Sequence, residues 1–272
     1  MKKVILFSPR GYIGGFLKRR LEEEKDIQLY EIERGTDFRK WKGNYDVFVY
    51  SASVSNASVK KFVQDNVVTA LAVMDFCEEH HVKRVIYLSS DSVYGEVNWD
   101  VVTEMSIMKN PGIYGATKYL AEKIIMEGKV PYYILRMPGV VGRGWRECFI
   151  CRLMDKIQGN EHIRLYNIGR QFNNILDIDD LTEFVVRLCN IAEGKSEVFL
   201  LGNTEKVLLG EIVSYLKGMY HSDSEVTSVD TNEKRYFTLD VTKAVEYGYS
   251  SKSIKVILDE LAKIQGDRKG QA

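Results

Sequence analysis

Tyr114 and Lys118 stand four residues apart in the stretch Tyr114-Gly115-Ala116-Thr117-Lys118. In a helix that spacing puts both side chains on one face. A phenol in water titrates near ~10 and is a poor base at neutral pH. An ammonium beside it stabilises the phenolate, and such a pair can move a proton on and off a hydroxyl or carbonyl oxygen. The same spacing also arises by chance from one surface tyrosine and one surface lysine. The pair therefore draws its weight from the elements that would have to position it.

Those elements alternate between short apolar runs and amphipathic segments. A strand over residues 4–7 enters Ser8-Pro9-Arg10-Gly11-Tyr12-Ile13-Gly14, and a helix is predicted over 15–24. A strand, a glycine-bearing turn and a helix N-terminus together make a phosphate cradle, with backbone N–H groups and the helix dipole facing a pyrophosphate. Two glycines alone also suit a plain strand–helix turn. The next strand, Ile27–Ile32, ends in Glu33-Arg34. A carboxylate at that distance can bond an adenosine ribose, and Glu31 competes with Glu33 for that role. Arg10 and Arg34 suit a 2′-phosphate instead.

A third strand, 46–50, leads into Ser51-Ala52-Ser53, and a helix is predicted over 62–79 with Val63, Val67, Leu71 and Met74 along one face. The strand Arg84–Leu88 ends in Ser89-Ser90-Asp91-Ser92-Val93-Tyr94-Gly95. The Tyr114 helix runs to about Ile125, and Tyr132–Arg136 is a strand ending in Met137-Pro138-Gly139. This alternation predicts an α/β fold, a doubly wound parallel sheet covered on both faces. Ligands of such sheets bind beyond the carboxyl ends of the strands, where Gly11, Ser53, Ser90 and Pro138 all fall.

Past residue 140 the pattern changes. Gly142-Arg143-Gly144-Trp145 reads as a loop, 146–158 as a helix, Ile163–Tyr166 as a strand, and 169–174 as a polar loop. Helices are predicted over 179–192, 210–220 and 253–264, and a strand over 198–201 returns to the main sheet. The tail 266–272 is expected to fray. The predicted division is 1–160 and 161–272, with about 175–202 returning to the first part.

The chain has 272 residues, 45% of them hydrophobic and 28% charged, as in an ordinary globular protein. Lys+Arg and Asp+Glu balance at 38 each, which argues against nucleic-acid or membrane-surface binding. The apolar run at the start is too short for a signal peptide or a span. The four cysteines suggest reduced thiols, hence a cytoplasmic protein. Cys148 and Cys151 form a C-x-x-C within an apolar, helix-like run. No second pair at metal-ligand spacing accompanies them, so they are read as core packing and no metal is expected. No repeat or low-complexity linker interrupts the chain.

Taken together, the motifs resemble the extended short-chain dehydrogenase/reductase family, in its NAD-dependent epimerase/dehydratase branch acting on nucleotide sugars. Phe7 to Gly14 is similar to the family's T-G-x-x-G-F-I-G. Asp37-Phe38-Arg39 resembles its adenine-contacting D-[LI]-x, and Asp46 to Ala52 its D-x-V-x-H-x-A. Val82 to Ser90, continuing to Val93-Tyr94-Gly95, resembles V-x-R-x-V-x-x-S-S-x-x-V-Y-G, and Tyr114 to Lys118 is the Y-x-x-x-K. Leu176 to Leu181 resembles I-H-V-x-D-[LV], and Leu239 to Ala244 with Gly248-Tyr249 resembles L-D-x-S-K-A…L-G-[YW]. Order and spacing, more than any single piece, carry the resemblance over most of the chain.

The resemblance implies a Rossmann-like domain with a small C-terminal α+β cap that binds substrate. It implies Tyr114 as acid/base, Lys118 as its partner and a ribose ligand, and Ser90 as the hydroxyl orienting the substrate oxygen. Ser90 on its own would also suit capping of the next turn. The implied cofactor is NAD, with NADP possible. It would be held by Ser8, Arg10, Gly11, Tyr12, Ile13, Gly14, Glu33, Arg34 and Asp37, then by Ser51, Ala52, Ser53, Asn66, Ser89 and Pro138, besides Tyr114 and Lys118. Asp91, Gly139, Arg143, Arg170 and Asn174 are candidates for the substrate; the last three suit solvated loops equally well. A homodimer is implied, through the helix 62–79 and the Tyr114 helix, whose non-sheet faces carry Val73, Phe76, Tyr119 and Ile125, as partner contacts or as core.

Four positions depart from the family pattern. Ser8 replaces the first motif glycine, which a serine tolerates where φ is negative. Gly139 stands where many members have an asparagine, Asp177 where a histidine is usual, and Ser92 where sugar 4,6-dehydratases carry a glutamate, although Asp91 matches their aspartate. Three functions follow: an epimerase or ketoreductase of nucleotide sugars; a 4,6-dehydratase-like enzyme, which Ser92 disfavours; and a non-catalytic dinucleotide-binding or sensor protein, which Ser8 and Gly139 favour.

Overall fold

The apolar runs become strands because successive side chains point to opposite faces, and here both faces are covered. The computed structural model describes residues 1–37, 41–52, 57–97, 100–144, 148–192, 195–231 and 237–269. In chain order the main elements are β1 (Lys2–Phe7), α1 (Tyr12–Glu22), β2 (Ile27–Ile32), β3 (Val47–Tyr50), α2 (Val59–Phe62) and α3 (Thr69–Glu79). There follow β4 (Arg84–Leu88), α4 (Ile113–Glu127), β5 (Tyr132–Arg136), α5 (Phe149–Gln158), β6 (Ile163–Tyr166) and α6 (Ile178–Asn190). The last are β7 (Glu197–Leu200), α7 (Leu209–Tyr220), β8 (Val226–Val229), α8 (Thr242–Glu246) and α9 (Ile254–Lys269). The tail expected to fray from Gly266 is thus helical as far as Lys269. Among the described residues no helix is long and apolar enough to cross a membrane.

Two compact units result. The first comprises Met1–Gly95, Met108–Met137 and Leu181–Leu200. Its sheet has the order β7-β5-β4-β3-β1-β2, and every pair is parallel. The order reverses at β1, where a doubly wound sheet presents its ligand crevice. Ile5, Phe7, Phe48, Tyr50, Val85 and Tyr87 form one core with Ala70, Val73, Phe76, Ala121 and Ile125 of α3 and α4. The intervening Val4, Leu6, Val47, Val49, Ile86 and Leu135 are buried as well, and on that other side α6 packs Phe184 against Phe199 of β7 with ring centres 5.7 Å apart.

Between α2 and α3 the helix widens into a π-helical segment, Val63–Val68. The extra residue per turn rotates the apolar stripe expected from a uniform 3.6-residue period. Met74 is buried, but Val63 and Leu71 are 41% and 50% exposed, and Asn66 turns inward instead. Val73, Phe76 and Ile125, considered as partner-facing residues, belong to the core.

The second unit comprises Glu96–Ile107, Pro138–Asp180 and Leu201–Ala272. The chain therefore changes unit at Pro138 and not near residue 160. The reason is α5: Ile150, Cys151, Leu153, Met154 and Ile157 bury themselves with Ile212 and Leu216 of α7 and Ile254, Ile257 and Leu258 of α9. β6 and β8 pair in parallel beside that core. The polar segment 169–174 includes a short strand, Gln171–Phe172, paired with Val207–Leu208.

The glycines of the first and second units give contrasting expectations. A Cβ on Gly14 would stand 2.0 Å from the Ser8 carbonyl oxygen, whereas one on Gly218 of α7 would meet nothing within 4 Å. Gly14→Ala should destabilise by about 1–3 kcal/mol or more through overpacking, and Gly218→Ala should stabilise by roughly 0.5–1 kcal/mol. Denaturant melts of the two variants check this; equal midpoints would contradict the close approach at the first turn.

Candidate active site

α4 starts after a sharp turn, with Asn110 at φ 46° and Gly112 as its N-cap. Tyr114, Lys118 and Glu122 then succeed one another at four-residue intervals on one face. Gly115 allows the first turn of α4 to lie on the short 3-10 turn Asp91–Tyr94, since a Cβ there would come within 2.2 Å of the Ser92 carbonyl oxygen. Ser90 caps that turn, its Oγ accepting from the Ser92 N–H at 3.1 Å. The hydroxyl also donates over a long 3.4 Å to Asp91 Oδ1. The Ser90 turn and the Tyr114 turn are thus held together, and the capping role of Ser90 is present in the geometry. Tyr114 is half-buried, its ring 5.7 Å from that of Phe62.

Lys118 is fully buried. Its Nζ donates to the Leu88 carbonyl at 2.6 Å and lies 4.2 Å from the centre of the Tyr87 ring. Burial pulls its ammonium down to about 7, against the opposing pull of the Glu122 carboxylate, and the nearby Arg34 charge lowers it further. Glu122, one turn on, is itself fully buried. Arg136 of β5 meets it through Nη2 at 2.7 Å and Nε at 3.1 Å. Ser89 Oγ donates to Glu122 Oε1 at 2.5 Å, and Arg136 Nη1 donates to the Tyr94 hydroxyl at 2.8 Å. Burial opposes the guanidinium charge of Arg136, but Glu122 outweighs it and holds the group above its ordinary value.

Ser8 sits at φ +72°, in the left-handed region, rather than at the negative φ that a serine favours. Its amide donates to the Ile32 carbonyl at 2.8 Å, and Arg34 Nε donates to its Oγ at 3.0 Å. Gly11 is the N-cap of α1, whose first turn, with Tyr12, Ile13 and Gly14, holds no carboxylate. Glu33 receives Arg10 at 2.7 Å, Arg34 is 3.6 Å from Asp65, and Glu31, the competing carboxylate, is taken by Lys18 at 2.7 Å.

The remaining cofactor candidates fall around the same strand ends. Ser51 Oγ donates to the Phe7 carbonyl at 2.7 Å, Ala52 is buried, and Asp37 is exposed. Ser53, Phe38 and Arg39 lie outside the described residues. Asn66, fully buried, donates to Thr117 Oγ1 at 3.0 Å, and its Oδ1 is buried with no partner among the described residues. A cradle without room for a side chain at Gly14, a helix N-terminus clear of acids, an acidic end to β2 and an unsatisfied buried amide oxygen together fit a dinucleotide.

In the second unit, Pro138 is buried and Gly139 exposed; a Cβ on Gly139 would make only an ordinary 3.5 Å contact with Cys148. Arg143 bonds Asp179 at 2.7 Å, and Arg170 reaches Asp100 at 3.5 Å. Asn174 is half-buried, while its neighbour Asn173 is fully buried and ties two chain segments: its amide donates to the carbonyls of Asn203 at 3.1 Å and Leu239 at 2.9 Å. Asp177 stands beside Lys252 at 3.1 Å, and burial pushes Asp180 up to about 6. Glu122, Arg136, Asn173 and Lys252 escaped the sequence reading. Glu122 had a legible signal, since it extends the spacing of Tyr114 and Lys118 by one turn.

Residues 47–202 match the model of the NAD dependent epimerase/dehydratase family. A dTDP-D-glucose 4,6-dehydratase of Dictyostelium discoideum is 23% identical over 233 residues, which cover 66% of this chain and 54% of the relative. The chain thus spans about half the length of that relative. Among solved structures, UDP-glucuronic acid 4-epimerase from Bacillus cereus in complex with NAD is 19% identical, with a TM-score of 0.78 over 96% of this chain and 99% of that one. RMD from Pseudomonas aeruginosa complexed with NADPH is 17% identical, with a TM-score of 0.78 over 98% and 100% of the two chains. At such identities the likeness is one of fold.

The buried ion pair gives a stability expectation. Removing one partner strands the other charge, at a typical cost of about 3–5 kcal/mol. Glu122→Ala and Arg136→Ala should each lose stability on that order, and the double variant should lose clearly less than the two losses added. Urea unfolding of the four proteins measures it, and strict additivity would show that the two groups do not act as a pair.

Proposed function

The chain belongs to the NAD-dependent epimerase/dehydratase family, and from that premise we propose that it is an epimerase or ketoreductase of a nucleotide-diphosphate sugar. The observation that carries the reading is the α4 face: a half-buried Tyr114 seated against the Ser90 turn, with the buried Lys118 one helical turn away. Tyr114 exchanges a proton with the reacting sugar oxygen, as a positioned side-chain acid/base. Ser90 donates a hydrogen bond to the same oxygen and orients it. Lys118, while charged, favours the phenolate form of its neighbour.

The first unit holds the dinucleotide at residues 11–14, with Asn66, Ser51 and Ala52 along its course, and the second unit holds the nucleotide sugar through Gly139, Arg143, Arg170 and Asn174. When bound, the nicotinamide supplies the hydride chemistry. NAD is the proposed cofactor, because Glu33 suits ribose hydroxyls and repels a phosphate. NADP is the second reading, supported by Arg10 and Arg34 and by the NADPH complex of a neighbour in fold. Dehydration is disfavoured: Ser92 supplies a hydroxyl where that reaction uses a carboxylate, and its amide and carbonyl are bonded to Ser90 and Gly95.

We also infer a homodimer through the outer faces of the α2–α3 segment and α4. Val59, Val63, Val68, Leu71, Ile113 and Leu120, from 41% to 56% exposed, are its proposed contacts, a concentration of apolar surface of the kind that marks protein interfaces. Light scattering at micromolar concentration should give twice the chain mass, and Leu71→Glu with Leu120→Glu should halve it. A parent protein that scatters as a monomer removes the inference.

Calorimetry with NAD and NADP, followed by turnover of a panel of nucleotide sugars, tests the chemistry. Tyr114→Phe should keep cofactor binding and lose about 10²–10⁴-fold in rate. Ser90→Ala should lose less, and Lys118→Ala should impair both rate and affinity. Tenfold tighter NADP would reverse the cofactor choice. Binding of neither cofactor would leave the non-catalytic reading in its place, and Tyr114→Phe turning over within twofold of the parent would remove Tyr114 as the reaction centre.

A further inference from the structure

The C-x-x-C of Cys148 and Cys151 plays no part in the chemistry above. Expected as core packing within one helical run, the two residues have different surroundings. Cys151 is fully buried in the core of the second unit, beside Ile150 and Met154. Cys148 lies outside the helix as the N-cap of α5, in extended backbone at φ −145° and ψ −178°, and is only part-buried.

α5 runs for ten residues and carries no acid in its first turn, so its N-terminal field falls on the Cys148 sulfur without competition. The Cys148 side chain makes no capping hydrogen bond to the first-turn amides, but the Cys151 thiol foremost, and then the amides of Cys151 and Ile150, favour its thiolate. These groups, with Arg152 beyond, pull Cys148 down to about 7 against the effect of burial. Cys151 is pushed far the other way by its bond to Cys148 and by burial. Cys77 and Cys189 are fully buried, and burial raises both. One accessible, activated thiol is thus followed three residues later by a protected one, which is the arrangement of dithiols that attack with the first sulfur and resolve with the second.

We propose that Cys148 and Cys151 form a redox-active dithiol that exchanges with small disulfides of the glutathione type, cycling between two thiols and one disulfide within the first turn of α5. The Cys148 thiolate attacks one sulfur of the external disulfide, whose S–S bond breaks, and the departing thiolate takes up a proton. Cys151 loses its proton to solvent and attacks the Cys148 sulfur of the mixed disulfide, releasing the second external thiol. Two electrons pass from the protein to the external disulfide, which leaves as two thiols.

The test uses the whole chain, equilibrated with reduced and oxidised glutathione in varied ratio, quenched by acid and alkylated, and read by peptide mass spectrometry. Native protein should lose the mass of two hydrogens through a Cys148–Cys151 bond, while Cys77 and Cys189 remain thiols. Cys151→Ser should accumulate glutathione on Cys148, and Cys148→Ser should acquire neither adduct nor bond. Alkylation of Cys148 against pH should have its midpoint at about 7, moving upward in Cys151→Ala, where the donor is lost. Circular dichroism checks that each variant is folded, and the native titration stands if one is not. A native protein whose two thiols survive oxidised glutathione, or a Cys148 midpoint in the ordinary range near ~8.5, would overturn the proposal.

Discussion

The ion pair of Glu122 and Arg136 is the constraint on which the α4 face depends. Neither side chain has appreciable access to water, so each charge is tolerable only because the other is in place. The pair does more than cancel charge. Glu122 fixes Ser89 at the end of β4, and Arg136 fixes Tyr94 at the end of the 3-10 turn. Ser90 and its capped turn lie between those two anchors. A carboxylate on α4 and a guanidinium on β5 thereby set the position of a hydroxyl that neither of them touches.

The same carboxylate also acts on Lys118. A lysine with no exposed atom pays heavily for its charge, and burial is the largest influence on it. The Leu88 carbonyl, the Tyr87 ring and Glu122 all favour the ammonium. Arg34 opposes them. Lys118 is therefore balanced near neutrality, where a modest change in its surroundings alters its charge. A lysine exposed to solvent would remain charged and respond to nothing. The balance exists because Tyr114, Lys118 and Glu122 share a face that looks into the protein rather than out of it.

The strands were legible because their signal is local. β2, β4, β5 and β6 begin and end at the residues expected of them, β4 and β5 around near-continuous apolar runs and β2 and β6 around apolar residues interrupted by Gln28, Glu31 and Arg164, and the order of motifs exposed the parallel sheet. The π-helical segment was not legible. It is held by the bond of Asn66 to Thr117, partners 51 residues apart, and it turned Val63 and Leu71 outward in spite of their helical period. Glu122 and Arg136 were passed over for a related reason. Charged residues are usually solvated, and nothing along the chain tells a solvated pair from one that folding brings together. Cys148 resisted reading on a finer scale. Whether it is the last residue before α5 or the first within it decides its chemistry, and helix ends are the least certain feature of a sequence.

Ser8 shows how a departure from a family pattern can be offset within the same turn. A non-glycine residue in left-handed backbone costs roughly 1–2 kcal/mol. A hydrogen bond to a charged group returns about 1.5–3 kcal/mol when sheltered. The Arg34 bond is part-exposed and returns less, yet it is of the size needed to meet most of the strain. A glycine at position 8 would avoid the cost and offer Arg34 no acceptor. With its guanidinium turned back to Ser8 and toward Asp65, Arg34 is committed at the β1 end of the sheet, and drawing it onto a 2′-phosphate would give up those contacts and leave Ser8 strained. Serine at the first motif position is thus a weak argument for lost chemistry, and through Arg34 it becomes an argument for NAD over NADP.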